Sequence, residues 1–477
     1  MQKIASVRLC IILGSFLVAL FLLQENKANF KTASVENSQY DSSRVLVRYK
    51  NQASIFGKSN LINILNKKQR TVISSETILP QLDLWHLSPD VSSKELAESL
   101  SKHPLIQYAE PDYIVYTMGG EKKKKQDTTI PLPAEDNVSG PDPKLTNSYG
   151  LLKIEAPKAW EIHRGTSEVI IAIIDSGIDY RHDDLSTNLW YNTGEVGSYE
   201  DDKNKTHNRQ TDGIDNDGNG YIDDVIGWDF RNNDGKPYDD NDHGTHVAGI
   251  AGAIGDNSLG SSGVTKDVRL MILKFIHSDG SGKVSDAIKA ISYAIKNGAK
   301  VLSNSWGGAS FSQSLQEAIV LTAENNMLFV AAAGNGGDDS KGDNIDKEPV
   351  YPAAFDLSNI ISVAATNRSD KLEFFSNYGS TNVDFAAPGA DIFSTLPNNK
   401  YGNFSGTSMA TPYVAGAAAL LLGFNSNLTT LEIKQALMDS VDPLAGLKNK
   451  TVTGGRLNVY KAIQVLQSNK ILLGKEE

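Results

Sequence analysis

Three residues in this chain carry the side chains that acyl transfer requires: Asp175, His243 and Ser408. Attack on a carbonyl needs a nucleophile, a base that takes its proton and a group that orients the base. Ser408 stands in Asn403-Phe404-Ser405-Gly406-Thr407-Ser408-Met409-Ala410-Thr411-Pro412, which predicts a tight turn opening into a helix. Gly406 permits close backbone approach, and Pro412 is tolerated only in a helix's first turn. A serine at that mouth gains from the positive end of the helix dipole. Taken singly, each candidate has an ordinary reading. A serine at a helix start is a cap. A histidine, here His243 ahead of Gly244, is a packed side chain. An aspartate after an apolar run, as in Ile173-Ile174-Asp175-Ser176-Gly177, is a turn residue.

A second constellation suits a hard cation. In the stretch 212–224, Asp215, Asp217 and Asn219 alternate, Gly220 allows a sharp turn, Tyr221 can offer its carbonyl, and Asp223 follows. This matches the first nine positions of an EF-hand loop. Ile226 stands where the loop's closing glutamate belongs, and no helix precedes, so a full EF-hand is excluded. A calcium loop and a solvated acidic loop both remain open. Crowded carboxylates repel unless neutralised, which favours calcium.

The elements that must position these residues form two patterns. Over 41–118 the periodicity predicts β-α-β-β-α-β: a strand at 44–50, a helix at 54–68, strands at 72–79 and 82–87, a helix at 93–101 and a strand at 108–116. From about 149 to 465, apolar runs alternate with helical spacing. The runs at 169–174, 268–275, 301–304, 328–333 and 360–364 predict buried parallel strands, with helices at 285–296 and 312–325. The run 414–422, apolar on every face, predicts an interior helix. The expectation is one large α/β domain over 144–477 behind a small α+β domain, ending in one or two helices.

With 477 residues the chain is long enough for two or three domains, and its net charge of -11 argues against a nucleic-acid partner. The single cysteine, Cys10, excludes an intramolecular disulfide. Lys3 and Arg8 followed by the apolar run 9–23 predict a secretory signal over 1–28, and hence a secreted protein. The alternative is an uncleaved membrane anchor. Segment 119–143, with Gly119-Gly120, four consecutive lysines (Lys122 to Lys125) and several prolines, predicts a solvated linker.

The run Gly406-Thr407-Ser408-Met409-Ala410-Thr411-Pro412 resembles the nucleophile motif of the subtilisin-like serine proteases. Asp242-His243-Gly244-Thr245-His246-Val247-Ala248-Gly249 resembles the same family's histidine block. The order Asp175, His243, Ser408 is the order of the subtilisin triad. This resemblance implies a serine endopeptidase with a parallel sheet flanked by helices. It makes Asn335, in Ala331-Ala332-Ala333-Gly334-Asn335-Gly336, the oxyanion donor and His246 a packed helix residue. It implies a substrate edge at Ser305, Trp306 and Gly307, and a pocket wall that includes Gly334 and Val350. It implies a second calcium site at Asp184 with Asn257. It also implies that 41–118 is a ferredoxin-like propeptide that templates folding and inhibits, with Met118 at the processing point. Tyr413 stands where the family often has histidine and is expected to pack. The expected partners are peptide substrates and the chain's own propeptide, in a monomer. Two rivals are a protease cutting after basic pairs, which would need an acidic pocket, and an inert binding protein, which would have lost a triad member.

Overall fold

The computed structural model describes residues 39–50, 55–68, 71–119, 140–200, 204–337 and 339–473. The expected signal and most of the expected linker lie outside them. The first unit is built from β1 (Tyr40–Tyr49), α1 (Ile55–Lys68), β2 (Val72–Leu79), β3 (Leu82–Leu87), α2 (Ser93–Leu100) and β4 (Ile106–Thr117). Its antiparallel sheet has the order β4-β1-β3-β2. Alternation sends successive side chains to opposite faces. Val45, Val47, Trp85 and Leu87 therefore pack with Leu61, Ala97 and Leu100 of the helices. Leu46, Leu82 and Leu84 face the other way, into a core shared with the larger domain. Both faces are thus apolar, because both are covered.

In the larger domain the site rests on β5 (Gly165–Asp175), β6 (Gly227–Asp229), α3 (His243–Gly252), β7 (Asp267–Lys274), β8 (Ser281–Lys283), α4 (Val284–Lys296), β9 (Val301–Asn304), β10 (Trp306–Gly307), α5 (Gln313–Glu324), β11 (Leu328–Ala332), β12 (Ile360–Thr366), β13 (Phe385–Pro388) and α6 (Thr407–Phe424). The short β14 (Asp442–Pro443) and β15 (Gly455–Arg456) follow. They complete a 9-stranded sheet of order β14-β15-β13-β12-β11-β9-β5-β7-β6, parallel except at β14. Ile171 and Ile173 point into one core with α3 and α6, and Ala172 and Ile174 into the other with α4 and α5. An unbroken apolar strand is what two covered faces require. Helix α6 is buried from Thr407 through Leu422. Its length and composition would allow a membrane span, but it lies in the protein core.

Pro412 departs from expectation. The helix begins at Thr407, so the proline sits beyond the first turn. A proline cannot donate to the carbonyl four residues back, which here belongs to Ser408. Ser305 Oγ takes that carbonyl instead, donating at 2.9 Å. The missing helical bond thus joins the nucleophile turn to the neighbouring strand edge.

Candidate active site

Asp175 ends β5, His243 opens α3 and Ser408 lies in the first turn of α6. All three are fully buried. The Nδ1–H of His243 donates to Asp175 Oδ1 at 2.7 Å, and the same oxygen accepts the Ser176 N–H at 2.7 Å. That geometry puts the histidine's only ring proton on Nδ1 when it is neutral, leaving Nε2 free to accept. Nε2 is buried and has no hydrogen-bond partner. The Ser408 hydroxyl donates to the Ser305 carbonyl at 3.0 Å. His243 thus offers a buried acceptor without a partner, and the Ser408 hydroxyl is engaged by a backbone carbonyl. Beneath the pair, Asp239 accepts from Ser176 Oγ, Thr245 Oγ1 and the backbone N–H groups of Asn241, Asp242 and Thr245. This knot ties the β5 turn to the start of α3. Burial pushes the Asp239 carboxyl up to about 6 against those hydrogen bonds.

Asn335 follows β11 in a turn. Its Oδ1 accepts from the Thr407 N–H at 2.8 Å and from Thr407 Oγ1 at 3.0 Å. A backbone N–H can only donate, so the other end of the amide must be Nδ2. Nδ2 donates to the carbonyl oxygen of Met118 at 2.5 Å. A Cβ on Gly406 would lie 2.3 Å from that same oxygen, so only glycine admits it here. Met118 N–H donates to Ser305 O at 3.1 Å. Upstream, β4 runs between two strands of the larger domain, antiparallel to both. Thr117 and Tyr116 pair with Trp306 and Gly307 of β10. Tyr116, Val115 and Ile114 pair with Ser281, Gly282 and Lys283 of β8. The end of the small domain therefore lies as an extended peptide, and among the described residues its last engaged carbonyl is that of Met118.

Residues 166–459 match the family described as Subtilase family, and residues 26–112 match the Fervidolysin N-terminal prodomain. The chain belongs to the subtilase family. It is 31% identical over 430 residues to the thermophilic serine proteinase of Bacillus sp. (strain AK1), covering 90% of this chain and 89% of that one. It is 37% identical over 324 residues to thermitase of Thermoactinomyces vulgaris, covering 68% and 98%. Subtilisin-like protease 1 of Plasmodium falciparum is 35% identical over 315 residues, covering 63% of this chain and 44% of that protein. The subtilase is thus a serine protease preceded by a prodomain.

The expected pocket residues of the subtilase gather around the Met118 side chain. A Cβ on Gly307 would lie 2.8 Å from Met118 Cε and 3.2 Å from Val350 Cγ1. A Cβ on Gly334 would lie 3.7 Å from the same Val350 carbon. Trp306 contributes backbone pairing, while its fully buried ring stands edge-on to Phe275 with centroids 5.0 Å apart. The strand edge β8 was not foreseen. Its signal was the Asp279-Gly280-Ser281-Gly282 turn after β7, and Gly282 is required because a Cβ would strike Phe275 at 2.6 Å. His246 packs as expected: it is buried, its Nε2 lies 3.0 Å from Ile392 O, and it stacks on Phe404. Tyr413 is buried likewise.

The acidic loop draws in a residue that its own sequence does not contain. Glu195, Asp215 and Asp217 bring carboxylate oxygens within 4.8 Å of one another. Glu195 Oε1 accepts the N–H groups of Asn216 and Asp217, while Oε2 is buried without a partner. Burial pushes the Glu195 carboxyl up, with Asp224 and Asp217 adding to the shift. Three converging carboxylates, one of them with an orphaned buried oxygen, fit a hard cation. Asn219 turns its amide N–H to Asp217 and Asp224, and Tyr221 packs its ring against Tyr293 and Trp228. Asp223 stands outside the cluster and accepts the Gly213 N–H. At the other expected site, Asn257 Nδ2 donates to Asp184 Oδ1 at 2.8 Å, and Ser261 N–H and Tyr401 O–H donate to Oδ2. Burial raises Asp184 to about 6. Among the described residues Asp184 belongs to no group of three carboxylates close enough to share a cation, so calcium there rests on the resemblance alone.

Proposed function

We propose that this subtilase is a secreted endopeptidase, made as a proenzyme that cuts itself after Met118. In this reading Ser408 attacks the scissile carbonyl carbon while His243 Nε2 takes its proton. Asp175 holds the imidazole in the tautomer that can accept. The Asn335 amide and the Ser408 N–H stabilise the negative charge that develops on the carbonyl oxygen. His243 then gives its proton to the leaving amine, and water repeats the sequence on the acyl-enzyme. The observation that carries the reading is the short contact of Asn335 Nδ2 with the Met118 carbonyl, at the end of a peptide zipped between two strand edges.

An extended substrate held by backbone pairing is recognised broadly, with selectivity left to the pockets. The Met118 methyl lies by Gly307, with Val350 Cγ1 near the same point, and this supports apolar residues before the scissile bond over basic ones. The run at 9–23 behind Lys3 and Arg8 supports secretion. Calcium at Glu195, Asp215 and Asp217 would clamp the loop to the rest of the domain and neutralise its charge. The test is Ser408→Ala. This variant should accumulate as uncut full-length chain by mass spectrometry, whereas the parent releases a product ending at Met118. A clean cut at that bond by the variant alone would refute self-processing.

A further inference from the structure

Asn335 must aim one N–H at an oxygen, yet nothing regular holds the turn that carries it. Strand β11 ends at Ala332, and both neighbours of Asn335 have left-handed backbones, Gly334 at φ +102 and Gly336 at φ +75. Thr407 orients the Asn335 side chain, and its Oγ1 accepts the Gly334 N–H at 3.1 Å, but it holds the turn on that upstream side only. One buried side chain holds both sides. Asn377, 2% exposed, accepts the Gly336 N–H at 2.8 Å with Oδ1 and donates from Nδ2 to Ala333 O at 3.0 Å. Its own N–H donates to Gly334 O at 2.9 Å. Its Oδ1 also accepts the Asp343 N–H at 2.7 Å. The two N–H groups are obligate donors and the Ala333 oxygen is an obligate acceptor, so the amide can sit only one way round. A Cβ on Gly334 would lie 2.4 Å from Asn377 Nδ2, so the clamp and the glycine require each other.

We propose that Asn377 is a positioning residue for the oxyanion site: it bridges the peptides on both sides of Asn335 and fixes where that donor points. This rests on the reading of Asn335 as the oxyanion donor. Asn377 touches neither the Met118 strand nor the nucleophile, so its effect must pass through Asn335. A donor used only in the transition state changes kcat and leaves KM little altered.

The experiment is a double-mutant cycle on the processed enzyme with Asn335→Ala and Asn377→Ala, reading kcat and KM separately on a peptide ester. Rates are referred to active sites counted by fluorophosphonate labelling. Asn335→Ala is expected to lower kcat about 100- to 1000-fold, the loss measured when the corresponding donor is removed from subtilisin. Asn377→Ala is expected to lower kcat about 10- to 100-fold, the scale of a small misplacement of a reacting group. In the Asn335→Ala background, Asn377→Ala should cost nothing further, because the group it positions is gone. Equal loss in both backgrounds would overturn the positioning role while leaving the oxyanion reading intact. No loss from Asn335→Ala would overturn both. If Asn377→Ala folds poorly, Asn377→Asp keeps the volume and both acceptor contacts and takes its place in the cycle.

Discussion

Glu110 of the prodomain meets the larger domain at a helix end. Its Oε1 accepts Ser312 Oγ at 2.7 Å and Ser314 N–H at 3.0 Å, and its Oε2 accepts Gln313 N–H at 3.0 Å. The first N–H groups of a helix have no partner within it. Here Ser312 caps Leu315 of α5, and Glu110 supplies acceptors for the two N–H groups in between. Burial pushes the Glu110 carboxyl up, while the bonds from Ser312, Ser314 and Gln313 pull it back. Glu110→Ala would leave the Gln313 and Ser314 N–H groups without their acceptors in the complex. One partly buried and one buried unsatisfied donor cost about 2–4 kcal/mol together, which is about 30- to 900-fold in affinity. The assay is dilution of the freshly processed complex, reading the concentration at which peptidase activity appears. Glu110→Ala should raise that concentration by the stated factor, and Glu110→Gln by less, since one oxygen can still accept. Glu98→Ala, at an exposed position of α2, should leave it unchanged. An unchanged release point for Glu110→Ala would show that the cap contributes nothing to retention.

The other expectations concern metal, pH and selectivity. Calcium at about 100 times its Kd should add about 2.7 kcal/mol to stability. Melts in calcium and in chelator should therefore differ, and Glu195→Gln or Asp215→Asn with Asp217→Asn should shrink that difference; no change would remove the loop from the account. Burial lowers His246 from 6.5 to about 3. Its folded-state value lies below its unfolded one, so its contribution is fully present above the unfolded pKa and is lost as pH falls towards the folded one. Between about pH 7 and about pH 5 that loss is about 2 kcal/mol. His246→Gln should flatten the denaturant-derived stability profile there, and a profile unchanged in slope would refute the assignment. Val350→Gly should raise kcat/KM for peptides with Phe before the scissile bond by about 10- to 200-fold, and much less for Met. Equal gains on both substrates would mean that Val350 does not line the pocket.

What could be read in the sequence was whatever is local in the chain. The turn before Ser408, the His243 block and the strand ending at Asp175 are each continuous, so their geometry follows from short stretches. The prodomain's element order was legible for the same reason. Pairings across the fold were not. Strand β8 is only three residues long and becomes a strand because β4 lies against it. Glu195 belongs to no calcium-loop pattern and reaches Asp215 and Asp217 only through the folded chain. Asn377 sits in Phe375-Ser376-Asn377-Tyr378-Gly379, where nothing marks it, and its importance comes from peptides of a distant turn. Pro412 looked like a limit on where helix α6 could start. Its consequence, a free Ser408 carbonyl taken by Ser305, requires both partners in view.

The same strand that presents Met118 also carries the contacts that hold the prodomain, and this separates cutting from release. Asp112 accepts the Ser285 N–H at 2.9 Å and Ser285 Oγ at 2.6 Å at the start of α4, as Glu110 does at α5. Ion pairs join Lys283 to Asp41, Lys289 to Glu76 and Arg48 to Glu317 across the same boundary. These pairs are partly buried or exposed, and the desolvation of the partly buried ones offsets part of their attraction, so the buried caps and the shared apolar core remain the larger contribution. Every one of these contacts lies upstream of Met118. Breaking the bond after Met118 removes none of them, nor the backbone pairing of residues 114–117. Under the proposed cut, the prodomain should therefore stay on as a bound product that fills the site, and free enzyme should appear only after a second event that undoes the caps, such as dilution below the dissociation constant.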